Sequence, residues 1–263
     1  MENKRAKLLE HYPNPEDKEI VKYYFELVEN VFDKNRKKET AFLDPYKVKI
    51  LENIVNIFNE VKVLAYGGFN DSERKKVIIV PSSWNVTRDM AGIDIISLKG
   101  NFEFDLITHR DVLGALMSLG IKREMLGDII IGDHAINVAV DAKVSNFIVQ
   151  NLYRLKKTNI KVELVNEQEI YSADDYIKEI DGTVASLRLD AVASVGFNAS
   201  RNKMKELIKA QRVKLNWKVT LDPKSEVSEG DVVSLAGKGR VELVSIGKKS
   251  KKGRRHVTVR RYK

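Results

Sequence analysis

Residues 188–217 read RLDAVASVGFNASRNKMKELIKAQRVKLNW, a spacing that predicts two short helices followed by a strand. In the first helix Leu189, Val192 and Val195 recur at helical spacing. Arg188 opens it, and Asp190 either caps it or holds Arg188 in position. Ser200 or Asn198 supplies the N-cap of the second, which runs from Arg201 to about Gln211 with Met204, Leu207 and Ile208 on its core face. At about 3.6 residues per turn, Arg201, Lys205, Lys209 and Arg212 fall within about 80° of one another, beside that apolar stripe. Arg201 sits at the helix N-terminus, where orphan N–H groups favour an anion and a guanidinium adds a bidentate fork. In the strand that follows, Val213 and Leu215 share one side, with Arg212, Lys214 and Lys218 mainly on the other. The stretch holds no metal-ligand set, no nucleophile with a base and no phosphate-cradling glycine loop.

The charge around this stretch is lopsided. Of the 263 residues, 46 are Lys or Arg and 37 Asp or Glu, a net of +9. Residues 1–182 have 26 basic against 30 acidic side chains, whereas residues 183–263 have 20 against 7. The last third therefore holds all the excess positive charge, as expected of a polyanion binder that releases counterions from phosphates. The chain ends in GKKSKKGRRHVTVRRYK, with nine basic residues and no acid. Val257 and Val259 alternate there as in a strand and pair with VELVSI, leaving Lys248, Lys249, Lys251, Lys252, Arg254 and Arg255 on an exposed basic hairpin. The alternative is an amphipathic helix pair with a solvated charged face. A face of one sign apart from Glu206, continued by a basic tail, favours RNA.

Upstream, Ile20 to Phe32 keep helical spacing, and Asp44-Pro45 marks the start of another helix. Residues 61–66 and 76–80 read as strands joined through Gly67-Gly68 and a polar turn. From Ile93 on the order is strand, helix, strand, strand, helix, strand, with Thr108 and Asp111 as a capping box and a turn at Gly132-Asp133. That order predicts a ferredoxin-like or RRM-like domain, although DIIIGDHAINV lacks the aromatic run that stacks RNA bases. The acidic stretch 166–183 reads as the connection to the last domain. The fold class is thus α+β: a helical region with the start of a β-hairpin over 1–74, a ferredoxin-like domain over 75–170, and a basic domain over 183–263.

Other chemistry is hard to place. His109-Arg110-Asp111 imitates a kinase catalytic loop, but position 116, where that loop needs Asn, is Leu. The four histidines lie far apart, and no carboxylates converge beyond the turn-marking Asp128 and Asp133. No G-x-G-x-x-G opens a helix, so neither cofactor nor small-molecule substrate is expected. The absence of cysteine suits a reducing cytosol, and no apolar run approaches the roughly 18 residues of a membrane span. A soluble cytoplasmic protein is expected.

The quoted stretch resembles the S-four RNA-binding domain, named for a small-subunit ribosomal protein, over about residues 183–246. The resemblance is carried by Arg188-Leu189-Asp190, Ser200-Arg201, Ile208, Val213-Lys214-Leu215-Asn216 and Gly230-Asp231. Two glycines of that pattern are replaced by Gln211 and Trp217, which implies that those turns are made differently and gives Trp217 a stacking role instead. From about Phe42 the chain resembles the YlmH family of bacterial RNA-binding proteins, through FLDPYKVKIL, AYGGFNDSERKKVIIVP and LITHRDVLGALMSLGIKREMLGDI. The resemblance implies recognition of rRNA and tRNA on a large ribosomal subunit that still holds peptidyl-tRNA, within ribosome-associated quality control. It also implies a family encoded beside cell-division genes, and help in non-templated elongation of the stalled peptide. Arg188 and Arg201 match its RNA-contacting arginines, with Lys203 and Lys205 as neighbours. The alternative is an RNA-modifying enzyme of the pseudouridine synthase kind, in which Asp190 of the Arg-Leu-Asp run would be catalytic. A cell-division scaffold is a third class.

Overall fold

The computed structural model describes residues 2–102, 107–132, 135–166, 177–250 and 253–262. It forms two compact units, 1–173 and 174–263. The first begins with α1 (Glu2–Glu10), α2 (Pro15–Lys34), β1 (Lys38–Glu39), α3 (Pro45–Val55), β2 (Val61–Tyr66) and β3 (Lys76–Pro81). Asp44 caps α3 by accepting from the Lys47 N–H, with Pro45 at the first helical position. β3 is the middle strand of the order β1-β3-β2 and is buried along its whole length. Val77 and Ile79 pack on Phe25, Leu51 and Ile54 of the helices, while Ile78 and Val80 pack on Ala91 on the other side. Cover on both faces is why the strand is an unbroken apolar run. β3 pairs with β2 from Val61↔Pro81 to Tyr66↔Lys76. The expected boundary at 74/75 would thus cut a hairpin and is corrected: the next sheet begins at Ile93.

That next part contains β4 (Ile93–Lys99), α4 (His109–Ser118), β5 (Leu126–Ile131), β6 (Ala135–Asp141), α5 (Ala142–Asn151), β7 (Arg154–Leu155), β8 (Thr158–Asn159) and β9 (Lys161–Val165). The sheet order β5-β6-β4-β9, antiparallel throughout, is the ferredoxin-like arrangement. The Thr108–Asp111 capping box at α4 forms in both directions. Gly132 ends just after β5, and Asp133 lies outside the described residues. Ile96, Leu98, Ile136 and Val138 face the helices, against Val112, Leu116 and Ile148. On the opposite face Ile95 and Ala139 are buried beneath Phe42 and Phe69. Phe42 comes so close that a Cβ on Gly127 would stand 2.7 Å from its ring. The loop carrying Phe69 is fixed by Asp128, which accepts from the Glu73 and Arg74 N–H groups, and by Arg74, which donates to the Phe42 carbonyl at 2.7 Å. Burial pushes the Asp128 carboxyl up, against those N–H bonds and the Arg74 charge.

A buried charge cluster adds to this packing. Lys76 of β3 is 1% exposed; its Nζ lies 2.9 Å from Asp141 and 3.7 Å from Glu39. Burial alone would raise both carboxyls. Hydrogen bonds from Lys37 and Lys143 and the Lys76 charge hold Glu39 below its ordinary 4.5. The Lys143 N–H and the Lys76 ammonium hold Asp141 below 3.8. Both folded values being depressed, this stabilisation is complete above the unfolded values and is lost as pH falls through the folded ones. Thermal melts of the first unit should move down as pH drops below about 4, and Lys76→Met should flatten that dependence.

The second unit consists of β10 (Ile177–Val184), α6 (Leu189–Gly196), α7 (Arg201–Lys209), β11 (Val213–Leu215), β12 (Lys218–Val219), β13 (Val232–Leu235), β14 (Gly239–Lys249) and β15 (Arg255–Tyr262). Its sheet runs β10-β15-β14-β13-β11-β12. Leu189, Val192, Met204 and Ile208 of the helices pack on Val213, Val233, Val241 and Val259 of the strands. The second correction lies here. Residues 177–183, expected to belong to a connection, form with Val184 an edge strand paired with β15 from Ile177↔Tyr262 to Val184↔Arg255. Ile180 and Val184 turn inward, while Glu179 and Asp181 bond Arg260 and Thr258 across the ladder. Charged side chains are how edge strands resist pairing with other chains, and they disguise this one. Gly182 lies inside this strand, where a Cβ would stand 2.5 Å from Val195. Residues 167–176 of the same stretch lie outside the described residues.

Candidate nucleic-acid interface

The start of α6 organises the site. Arg188, its N-cap, makes no side-chain cap. Instead the Leu189 and Asp190 N–H groups donate to the carbonyls of Ser225 and Pro223. The Asp190 carboxylate is thereby released from capping, the first of its two expected roles, and takes the second. It is 0% exposed and accepts from Arg188 Nε at 3.2 Å and Arg201 Nη2 at 2.8 Å, with Lys205 Nζ at 3.9 Å. The arginine side chains remain 32% and 42% exposed. Each is held on one side by a buried anion and presents its remainder to solvent. Such anchoring pre-arranges cations for phosphate oxygens at little further cost in side-chain entropy. A carboxylate so enclosed is poorly placed to attack a nucleotide base.

Along α7, Ser200 caps by accepting from the Lys203 N–H at 3.2 Å. Lys203 pairs with Glu206 at 3.1 Å, and Lys209 is exposed. The helix stops at Lys209, so Arg212 leaves the expected helical stripe. It is exposed beyond a left-handed Gln211 (φ 59°), and its guanidinium donates to the Ala236 carbonyl at 3.4 Å. Lys214 is exposed on β11.

The β11–β12 turn corrects another expectation. Asn216 (φ 48°) and Trp217 (φ 65°) are both left-handed, as a two-residue type I′ hairpin requires, and so is Gln211. The chain keeps the glycine-type backbone and puts larger residues on it. Asn216 makes this possible by donating to Asp231 at 2.8 Å and accepting from the Val232 N–H at 2.9 Å. Trp217 is half-buried. Gln211→Gly is expected to raise the melting temperature of the second unit, by about 1 kcal/mol of relieved strain; differential scanning calorimetry checks it.

The basic tail forms the predicted hairpin, with Leu243↔Val259 and Ile246↔Val257 in register. Lys248, Lys249 and Arg254 are exposed, and Arg255 is half-buried. Lys251 and Lys252 lie outside the described residues. Arg254 is tied down, donating to the Thr183 hydroxyl and carbonyl at 3.1 and 2.6 Å. Part of the tail's charge is structural, which composition alone did not reveal. Arg260 pairs with Glu179 and Glu242, and Arg240 stacks 4.9 Å from the Tyr262 ring centroid. Of the residues nominated from the sequence, the structure gathers Arg188, Arg201 and Lys205 on one carboxylate; Lys203, Lys209, Arg212, Lys214 and the described hairpin residues Lys248, Lys249, Arg254 and Arg255 lie elsewhere in the same unit.

Three family models match in succession: "YlmH, N-terminal" over residues 16–84, "Putative RNA-binding domain in YlmH" over 88–169 and "S4 domain" over 187–233. The chain is 34% identical over 233 residues to "Ribosome-associated protein quality control protein P2" of Bacillus subtilis (strain 168), covering 89% of this chain and 90% of that one. The chain belongs to the YlmH family. A solved member, "Cell division protein ylmH from Streptococcus pneumoniae", superposes with a TM-score of 0.54 at 20% identity, over 60% of this chain and 96% of that one, and shares the fold. Among the described residues no helix is long and apolar enough to cross a membrane.

Proposed function

We propose that this YlmH-family chain is a non-catalytic factor that docks on rRNA and tRNA of the large ribosomal subunit in the cytoplasm. There it acts in quality control of stalled peptidyl-tRNA. The observation that carries the reading is the set of cations, Arg188, Arg201 and Lys205, ordered on buried Asp190 in a unit with a large positive excess. Phosphate contacts from these residues, with Lys203, Lys209, Arg212 and Lys214 beside them, set orientation. The hairpin cations Lys248, Lys249, Arg254 and Arg255 add affinity, joined by Lys251 and Lys252. Selectivity comes from RNA shape. The name of the Bacillus subtilis relative supports the ribosomal setting. No cofactor and no small-molecule substrate enter this scheme.

Sedimentation with separated ribosomal particles tests it. Co-sedimentation with large subunits, increased when they hold peptidyl-tRNA, is the expected result. Equal binding to every particle would contradict it. For the enzyme alternative, nucleoside analysis of bulk RNA after incubation should show no new modified nucleoside; one that disappears with Asp190→Ala would reinstate it.

A further inference from the structure

We propose that the β7–β8 hairpin of the first unit is a second RNA contact, in which the ring of Tyr153 stacks on an unpaired base while Arg154 and Lys157 hold the flanking phosphates. The inference extends the RNA reading above to a site outside the S-four part of the chain. At 74% exposure Tyr153 is the most exposed large apolar side chain among the described residues. Its backbone is nonetheless fixed on both sides. Leu152 and Leu155 are buried in the core, and the Tyr153 carbonyl accepts from the Ile160 N–H at 3.0 Å. Lys156 (φ 54°) and Lys157 form the two-residue turn, and Lys156 is spent on Asp111 of α4 at 2.9 Å. Arg154, the neighbour of Tyr153 in the chain, and Lys157, in the turn, are exposed.

Charge selects the occupant. Residues 142–161 contain five basic side chains and no acid, although residues 1–182 are net acidic. An exposed aromatic on a fixed backbone, in a hairpin whose exposed charges are of one sign, suits unpaired nucleotides, since every base has a π-face and every linkage a phosphate. The sheet face on which RRM-type domains stack bases is partly closed here, with Ile95 and Ala139 lying under Phe42 and Phe69. The hairpin lies instead with the helices, tied to α4 through Asp111.

The test is fluorescence anisotropy of the full chain with two labelled RNAs, a stem-loop with an unpaired loop and a blunt duplex of equal phosphate count. Tyr153→Ala should weaken stem-loop binding about tenfold and leave duplex binding unchanged, with Tyr153→Phe restoring the loss. Arg154→Gln with Lys157→Gln should weaken stem-loop binding and lower its log–log salt slope by about two. Unchanged stem-loop affinity in Tyr153→Ala, or an equal loss on both RNAs, would overturn the proposal. So would loss of large-subunit binding with both free RNAs bound normally, which would mean a protein partner. The Arg188→Ala, Asp190→Ala, Arg201→Ala variant reports on the other site: wild-type affinity there, with Tyr153→Ala defective, would sink the S-four contact and leave the hairpin standing.

Discussion

Replacing Arg188 and Arg201 together by alanine is expected to destabilise the second unit by about 3–5 kcal/mol, before any effect on RNA. Both arginines are counter-ions of a carboxylate with no solvent access, and their loss leaves Asp190 with Lys205 at 3.9 Å alone. An uncompensated buried charge is far more damaging than the loss of an exposed ion pair, which is worth about 0–1 kcal/mol. Adding Asp190→Ala to the pair should recover most of the stability, because the stranded charge goes with its partners. Urea unfolding separates the cases. With Trp84→Phe as background, fluorescence follows Trp217 alone, since the chain has two tryptophans. A double variant as stable as wild type would show that Asp190 does not depend on these arginines.

The second large effect lies in the first unit. Asp141→Ala should cost about 3–5 kcal/mol by stranding Lys76, which is as buried as the surrounding aliphatic side chains. Glu39, at 3.7 Å, is beyond hydrogen-bond reach of the ammonium. The same carboxylate also caps α5 through the Lys143 N–H at 3.0 Å, a contribution of about 1 kcal/mol within that total. Lys76→Met with Asp141→Ser, which removes the ion pair and keeps a cap acceptor, should regain most of the loss. Trp84 fluorescence in a Trp217→Phe background gives the readout. Equal losses in the single and double variants would contradict the stranded charge as the source of the effect, since the double variant lacks that charge and keeps a cap acceptor.

What the sequence disclosed follows from how local each determinant is. Asp44-Pro45 and the Thr108–Asp111 box act within one helical turn, so those helix starts could be read directly. The ferredoxin-like order rests on alternation within β4 and β6, and Ile96↔Val138 and Leu98↔Ile136 do meet on one face. β10 stayed hidden because an edge strand shows its acids to solvent and to the arginines of β15 rather than an apolar face. The end of α7 was misplaced because nothing in Gln211 announces a left-handed residue where glycine is usual.

The candidate site was legible as a list of cations but not as a structure. Arg188 and Asp190 are near neighbours, yet Arg201 reaches Asp190 across eleven positions, and only the packing of α6 against α7 joins them. Likewise the charges of Arg240 and Arg260 look available in composition but serve the sheet. The β7–β8 hairpin left a fainter trace, an acid-free run containing Tyr-Arg-Leu-Lys-Lys within an acidic region. Strands of two residues have too little periodicity to be recognised.

The central claim is that the cations ordered on Asp190 contact RNA phosphates. It is tested most directly by the salt dependence of binding to purified large ribosomal subunits, wild type against the Arg188→Ala, Asp190→Ala, Arg201→Ala variant. The variant's fold is first verified by its unfolding curve. Weaker binding at every salt concentration, with the log–log slope smaller by about two, is the predicted result. Superimposable lines for two equally folded proteins would contradict it and move the RNA contact away from the start of α6 and α7.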